Sequence, residues 1–379
     1  MTGKFLKNAW YAAAWADEVT DNLFERKIIG DPILIYRKDD GEAIAVHNAC
    51  PHRLAPLHLG KRVGADTIEC AYHGLRFNSE GKCVHNPHSE KTPEKMCLRS
   101  YPLVERHDLI WIWMGEKDLA NADTIPDFSC HTDSKFKTVK GVMKMAGNYE
   151  LIADNLMDLT HVEYLHEGLL GSEAISRGTH QIKKEGTTIW SNRWCPDGLA
   201  PPAWDMLFKN YGKNVDHWLY MRWDAPAHML LDVGVTPVGR PRDEGVYMYG
   251  TDILTPADEE NTYYFWGASR SHDQDDPHYD EVWKEAIEIA FGKQDRPMIE
   301  AQQKMITSLG GVDIDDLQPV LLPSDIGPVQ IRKTLRDLVK DQNEGQIGRK
   351  GVPNPANISL QKLLREDEGK YNGRVEPIV

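Results

Sequence analysis

No run among the 379 residues approaches the ~20 consecutive apolar side chains that cross a bilayer as a helix. The nearest is Ala9-Trp10-Tyr11-Ala12-Ala13-Ala14-Trp15, which follows Lys4 and Lys7 and is closed by Asp17 and Glu18. It is short and aromatic rather than leucine-rich, so it reads as a buried first strand or turn and not as a secretory signal. Basic charge is also scarce: 44 Lys and Arg stand against 58 Asp and Glu, a net charge of −14. Such a surface repels nucleic acid and anionic membrane, and no Lys/Arg run offsets it locally. No flavin or nucleotide motif is apparent, and there is no internal repeat. Cysteine is limited to six residues, Cys50, Cys70, Cys83, Cys97, Cys130 and Cys195. Thiols scattered through a long chain argue against a disulfide framework and for a reducing compartment, so a cytoplasmic location is expected.

What is present is ordinary soluble-protein composition, 41% hydrophobic and 27% charged. The length favours two domains. From Arg26 to about Gly115 the pattern is short strands and turns. Lys27-Ile28-Ile29 and Ile33-Leu34-Ile35-Tyr36 flank Gly30-Asp31-Pro32, and Asp39-Asp40-Gly41 signals a hairpin before Ala43-Ile44-Ala45-Val46. Leu109-Ile110-Trp111-Ile112-Trp113 is a further strand. Residues 116–136 have little periodicity and read as a linker, so a division into 1–118 and 119–379 is expected. Beyond it the chain is mixed. Residues 148–166 have helical character, and residues 182–266 are β-rich with Pro/Gly turns. Residues 279–291 and 297–309 read as helices interrupted near Gly292, and residues 330–339 as another helix. The last stretch, with Gly345, Gly348 and Gly351, reads as an irregular surface tail.

Two segments carry chemistry. The first is Cys50-Pro51-His52, then seventeen residues, then Cys70-Ala71-Tyr72-His73. Each half offers one thiolate and one imidazole. Two thiolates on one iron and two imidazoles on the other hold a [2Fe–2S] cluster with less negative charge and a higher potential than four thiolates would give. This is the pattern of a Rieske centre, and the segment resembles Rieske proteins. Zinc also accepts two Cys and two His. Zinc fingers, however, keep the cysteines together and the histidines together, whereas here they alternate.

The second segment runs from Asp154 to His166. Asp158 and His161 lie about 60° apart on an ideal helix and share a face. His161 and His166 lie roughly 140° apart, so a regular helix would not place both on one ion. A π-bulge, or a helix end before Gly168, would bring them together. Two imidazoles and a distant carboxylate form the facial triad of non-haem Fe(II) oxygenases, which leaves positions open for O₂. Two histidines on a helix are more often merely hydrogen-bonded. The neighbouring redox pattern favours the metal, because a one-electron relay needs something to reduce.

With both segments in view, the chain from Asn8-Ala9-Trp10-Tyr11 to Gln303 resembles the terminal oxygenase components of Rieske non-haem iron oxygenases. Within them it is most like the vanillate and dicamba O-demethylases and the chloroacetanilide N-dealkylases. The likeness lies in Cys50-Pro51-His52-Arg53, Cys70-Ala71-Tyr72-His73-Gly74, Asn86-Pro87-His88, Asp154-Asn155-Leu156-Met157-Asp158 and Gly250-Thr251-Asp252-Ile253-Leu254. It implies an α+β fold, with an N-terminal all-β Rieske domain and a C-terminal helix-grip-like catalytic domain built on an antiparallel sheet. It implies that Cys50, His52, Cys70 and His73 hold the cluster. It supplies Asp295, before Gln302-Gln303, as the third ligand beside His161 and His166; capping a helix at Pro297 is that residue's other reading. Asp158 matches a bridging carboxylate that accepts from a mononuclear-site histidine and from a Rieske histidine of a neighbouring subunit, and Asn155 matches a residue near the iron.

The resemblance further implies a homotrimer, electrons from NAD(P)H through a separate ferredoxin or reductase, and oxidative N- or O-dealkylation of a small aromatic compound. Leu231, Asp252 and Ala286 fall where the dicamba-type relative recognises a carboxylate, so the pocket should refuse an anion, with Asp252 repelling it. Trp204, Met206, Phe208 and Trp283 are further candidate wall residues. Arene cis-dihydroxylation on the same metals and a non-enzymatic Rieske electron carrier are the rival readings.

Overall fold

The computed structural model describes residues 4–344, so the glycine-rich stretch from Gly345 lies outside the described residues. The N-terminal part is built from short strands because its apolar runs are short and punctuated by turn residues. They are β1 (Trp10–Trp15), β2 (Phe24–Ile28), β3 (Asp31–Arg37), β4 (Ala43–His47), β5 (Lys61–Val63) and β6 (Thr67–Glu69). After them come β7 (Arg76–Phe77), β8 (Cys83–His85), β9 (Ser100–Tyr101), β10 (Leu103–Arg106) and β11 (Leu109–Trp113). They form three antiparallel sheets in the orders β1-β11-β10, β2-β3-β4-β9 and β5-β6-β7-β8. All six residues of β1 are buried, as the aromatic run implies. The β2–β3 turn is made by Ile29 and Gly30, both at positive φ (43° and 89°), so Asp31 and Pro32 open β3 instead of forming the turn.

The C-terminal part is one antiparallel sheet of seven strands. They are β12 (Lys137–Met145), β13 (Thr179–Glu185), β14 (Thr188–Leu199), β15 (Asn214–Asp224), β16 (His228–Pro237), β17 (Val246–Asp258) and β18 (Asn261–Arg270), in the order β12-β18-β17-β16-β15-β14-β13. The helices are α1 (Tyr149–Met157), α2 (Val162–Leu165), α3 (Glu173–Arg177), α4 (Pro202–Leu207), α5 (Pro277–Ile287), α6 (Arg296–Ser308) and α7 (Ile326–Asn343). Helices α1, α6 and α7 pack on the sheet through Leu151, Ile152, Leu156, Ile299, Ile306, Ile331 and Leu335 in the main hydrophobic core. Among the described residues no helix is long and apolar enough to cross a membrane.

Residues 116–136 are not a loose linker. Ile125, Phe128 and Cys130 are buried in one cluster with Trp10, Trp111 and Trp113 from the small sheet and Leu230, Tyr249, Ile253 and Phe265 from the large one. The segment lacks periodicity because it is a series of single 3₁₀ turns, Lys117–Leu119, Ala122–Thr124 and Ser129–His131, of whose residues only Cys130 is buried. Hydrogen bonds to main-chain carbonyls also tie the two parts together. His228 Nε2 meets Trp10 O at 2.9 Å, Thr255 Oγ1 donates to Ala12 O at 2.8 Å, and Ile29 and Gly30 donate to Pro256 and Ala257 at 2.8 Å each.

Candidate redox and metal centres

The two Cys/His loops follow β4 and β6 and have the same local geometry. Leu54 N–H donates to Cys50 O and Cys50 N–H to Ala55 O, at 2.8 and 2.9 Å; Gly74 N–H donates to Cys70 O and Cys70 N–H to Leu75 O, at 2.9 and 2.8 Å. Each turn needs a residue at positive φ four places after its cysteine, Leu54 at 57° and Gly74 at 70°. Glycine meets this freely, whereas Leu54 adopts it at a steric cost. The loops bury their cysteines and leave their histidines nearer the surface. Cys50 and Cys70 are each 1% exposed and are not joined in a disulfide. The imidazoles of His52 and His73 face each other with centroids 4.5 Å apart. Burial pushes the Cys50 thiol up to about 11, against the pull of main-chain N–H groups of His52 and Arg53. A buried thiol of this kind is a ligand only as its thiolate, which a bound cationic group such as a cluster iron would stabilise.

The second centre forms where α1 ends. Asp158 is the residue after α1, and α2 begins only at Val162, so the chain turns just before His161. No π-bulge joins the two histidines; His161 and His166 bracket the four-residue helix α2, which ends at Leu165, the expected helix end before Gly168. The π-helical geometry lies elsewhere. Helices α5 and α6 are joined without a gap by a π-helical segment, Glu288–Asp295, in place of the interruption read near Gly292. Its last residue is Asp295, 1% exposed, whose carboxylate makes no capping bond to α6. It turns instead to the histidines: His161 Nε2 lies 3.7 Å from Oδ1 and His166 Nε2 lies 3.3 Å from Oδ2. Ligand atoms of all three residues lie within 4.8 Å of one another.

This geometry fits a metal. Asp295 Oδ2 is buried and makes no hydrogen bond. Both imidazoles are held through the other nitrogen: His161 Nδ1 by the main-chain carbonyl of Asp158 at 2.5 Å, and His166 Nδ1 by Gln294 Oε1 at 2.8 Å. Their Nε2 atoms therefore face Asp295 as free ligands. Burial holds His161 below its ordinary pKa, in the neutral form that binds metal. Asn155 donates from Nδ2 to Asp295 Oδ1 at 3.2 Å.

Asp158 differs from expectation within the chain. Its main-chain carbonyl, not its carboxylate, receives the His161 bond, while carboxylate Oδ1 accepts from Thr160 N–H at 3.0 Å and Thr160 Oγ1 at 2.7 Å. The reason is positional: at a helix end the carbonyls lack intrahelical partners, and an Asp side chain favours the amide two residues on.

An apolar cavity of about 70 Å³ is linked to this centre through Asp252 in its wall, which feels the charge of Asp295. Leu231, Asp252, Trp283 and Ala286 all line it, together with Trp204, Leu170 and Phe291. Met206 does not; it is 60% exposed on the outer side of α4. Phe208 is buried but stacks behind Trp204 at 5.5 Å without reaching the cavity. Asp252 is 2% exposed and its Oδ1 accepts from Tyr264 Oη at 2.5 Å. Burial, aided by the charge of Asp295 and opposed by the Tyr264 bond, raises Asp252 to about 7. Repulsion by Asp252 is thus weaker than its formal charge suggests. The stronger objection to an anion is that among the described residues no Lys, Arg or His lines the wall.

A Cys/His pair on each of two matched loops, and two histidines with a carboxylate against an antiparallel sheet, define the class: an oxygenase component with a Rieske cluster and a mononuclear non-haem iron. Residues 9–102 match the Rieske [2Fe-2S] domain, and residues 145–341 match the vanillate O-demethylase oxygenase C-terminal domain. The chain is 36% identical over 345 residues to the oxygenase component of chloroacetanilide N-alkylformylase from Rhizorhabdus wittichii, covering 90% of this chain and 98% of that one. It is 35% identical over 335 residues to the oxygenase component of dicamba O-demethylase from Stenotrophomonas maltophilia, covering 88% and 98%. Its fold matches crystalline dicamba monooxygenase bound to 3,6-dichlorosalicylic acid with a TM-score of 0.84 at 34% identity, over 89% of this chain and 98% of that one. The chain belongs to the Rieske non-haem iron oxygenase family, in the group of the vanillate and dicamba O-demethylase oxygenase components. Zinc in the first site and a purely electron-carrying role are thereby set aside.

Proposed function

We propose that this oxygenase removes an N- or O-alkyl group from a neutral, largely apolar aromatic compound, of which a chloroacetanilide is one example. The observation that carries this reading is the convergence of His161, His166 and Asp295 together with an apolar cavity that, among the described residues, no Lys, Arg or His lines. Cys50, Cys70, His52 and His73 hold the [2Fe–2S] cluster, and His161, His166 and Asp295 hold the mononuclear iron. When bound, the two groups supply electron relay and O₂ activation.

The chain's own part is to orient the ligands, hold the substrate and keep water out. One oxygen atom enters a C–H bond next to N or O, and the other leaves as water with two electrons and two protons consumed. The resulting hemiaminal or hemiacetal breaks its C–N or C–O bond, giving the dealkylated product and an aldehyde. A cavity of about 70 Å³ is smaller than the ~150 Å³ that holds a benzene ring, so a ring-sized substrate needs the wall to widen. An unpaired carboxylate buried there would cost several kcal/mol.

We assign residues 1–118 to the cluster domain and 119–379 to the catalytic domain, and the family likeness supports a homotrimer fed by a ferredoxin and its reductase. The test is turnover with a surrogate reductase, reading aldehyde release from a matched benzoic acid and its ester or amide. The neutral compound should have the higher kcat/KM. A preference for the acid would overturn the substrate reading, and a cis-diol product would favour ring dihydroxylation.

A further inference from the structure

Gln294 and Asp295 are consecutive residues at the end of the π-helical segment, yet both reach the same imidazole. Asp295 Oδ2 approaches His166 Nε2 at 3.3 Å, and Gln294 Oε1 meets His166 Nδ1 at 2.8 Å. Consecutive side chains on a helix point in different directions, and here the two meet opposite nitrogens of one ring. His166 is 1% exposed, so water has little access to substitute for a lost partner. The two metal-facing histidines are secured differently. His161 Nδ1 is held by a main-chain carbonyl, which no side-chain change removes. His166 Nδ1 is held by a side chain, which one substitution can remove.

We propose that Gln294 is a positioning residue: its carbonyl oxygen accepts the Nδ1 hydrogen of His166, fixes the tautomer with a free Nε2 and aims that atom at the metal position. A carbonyl oxygen can only accept, so Nδ1 must carry the hydrogen, and in the neutral imidazole that leaves the lone pair on Nε2. The opposite orientation of the Gln294 amide would place a donor against Nδ1 and a hydrogen on Nε2. That hydrogen would face Asp295 and exclude metal. The partner on the remote nitrogen of a ligating histidine typically governs affinity as well as orientation. The proposal rests on the metal-centre reading above.

The test uses full-length protein with its Rieske cluster loaded and the mononuclear site stripped. Fe(II) affinity is measured by competition with a chromogenic chelator, and Co(II) binding by its visible d–d spectrum. Gln294→Leu should weaken Fe(II) binding by about 10- to 100-fold and alter the Co(II) spectrum, with the Rieske absorbance unchanged. Gln294→Glu, whose carboxylate accepts the same hydrogen, should bind within about threefold of the parent. Parental affinity in Gln294→Leu would overturn the role of Gln294 while leaving the metal centre intact. Equal loss in both variants would overturn it too, because acceptance of the hydrogen would not be what matters. Absence of Fe(II) binding in the parent would instead overturn the metal-centre reading, and this inference with it.

Discussion

At the scale of single residues, Asp158 divides its duties between main chain and side chain. The carbonyl orients His161, and the carboxylate caps Thr160 with its remaining surface half-buried. Asp158→Asn leaves the carbonyl in place and preserves the shape of the cap. Iron should therefore stay bound at both centres while turnover falls at least about tenfold, since the lost charge is what would face a Rieske histidine of the next subunit. Metal analysis beside steady-state rates checks this. Loss of the mononuclear iron would make Asp158 a ligand, and an unchanged rate would reduce its carboxylate to a turn-capping group.

Among the elements, the π-helical segment Glu288–Asp295 decides where the third ligand points. Removing Gly292 would restore ordinary helical spacing and swing Asp295 by about 100° relative to α5. We expect the cluster spectrum to survive and mononuclear iron to fall to near zero, read by iron content per chain against about three irons in the parent. Retention of all the iron would show that the segment can re-form its bulge without that residue. The 3₁₀ segment between the two parts gives an equally specific expectation. Phe128 is fully buried between the small and large sheets, stacked on Trp111 at 6.1 Å. Phe128→Ala should destabilise the protein by about 3–5 kcal/mol and lower the unfolding temperature of both parts together. A linker would tolerate the change, so an unaltered melting curve would contradict the packing described here.

For the whole molecule, the surface around the cluster loops is unusual. Leu54, Leu59, Tyr72 and Val84 are 76%, 65%, 59% and 56% exposed beside the half-exposed histidines. Large apolar side chains grouped at a surface favour contact with another protein. In a cyclic trimer, one subunit's cluster end would meet the next subunit's catalytic domain. Leu54→Asp should then lower the trimer fraction in light scattering and reduce reductase-driven turnover in parallel. Full activity in a strictly monomeric preparation would refute the ring.

The sequence by itself determined the chemistry that depends on residue type and local spacing. Alternating Cys and His in two short loops could be read directly as a cluster site, and the buried first strand followed from its aromatic run. Asp295 was reachable only through likeness, because spacing cannot choose one carboxylate among many. Tertiary structure decided what depends on direction. The short helix α2, which ends just before His166, brings His161 and His166 together, and the π-helical segment turns both Gln294 and Asp295 toward His166. The contact from Gln294 to His166 spans 128 residues and carries no periodic signal. The same is true of the packing of residues 116–136, which bury isolated side chains between two sheets. A one-dimensional pattern records periodic faces; it does not record which way a bulge or a single turn aims a side chain.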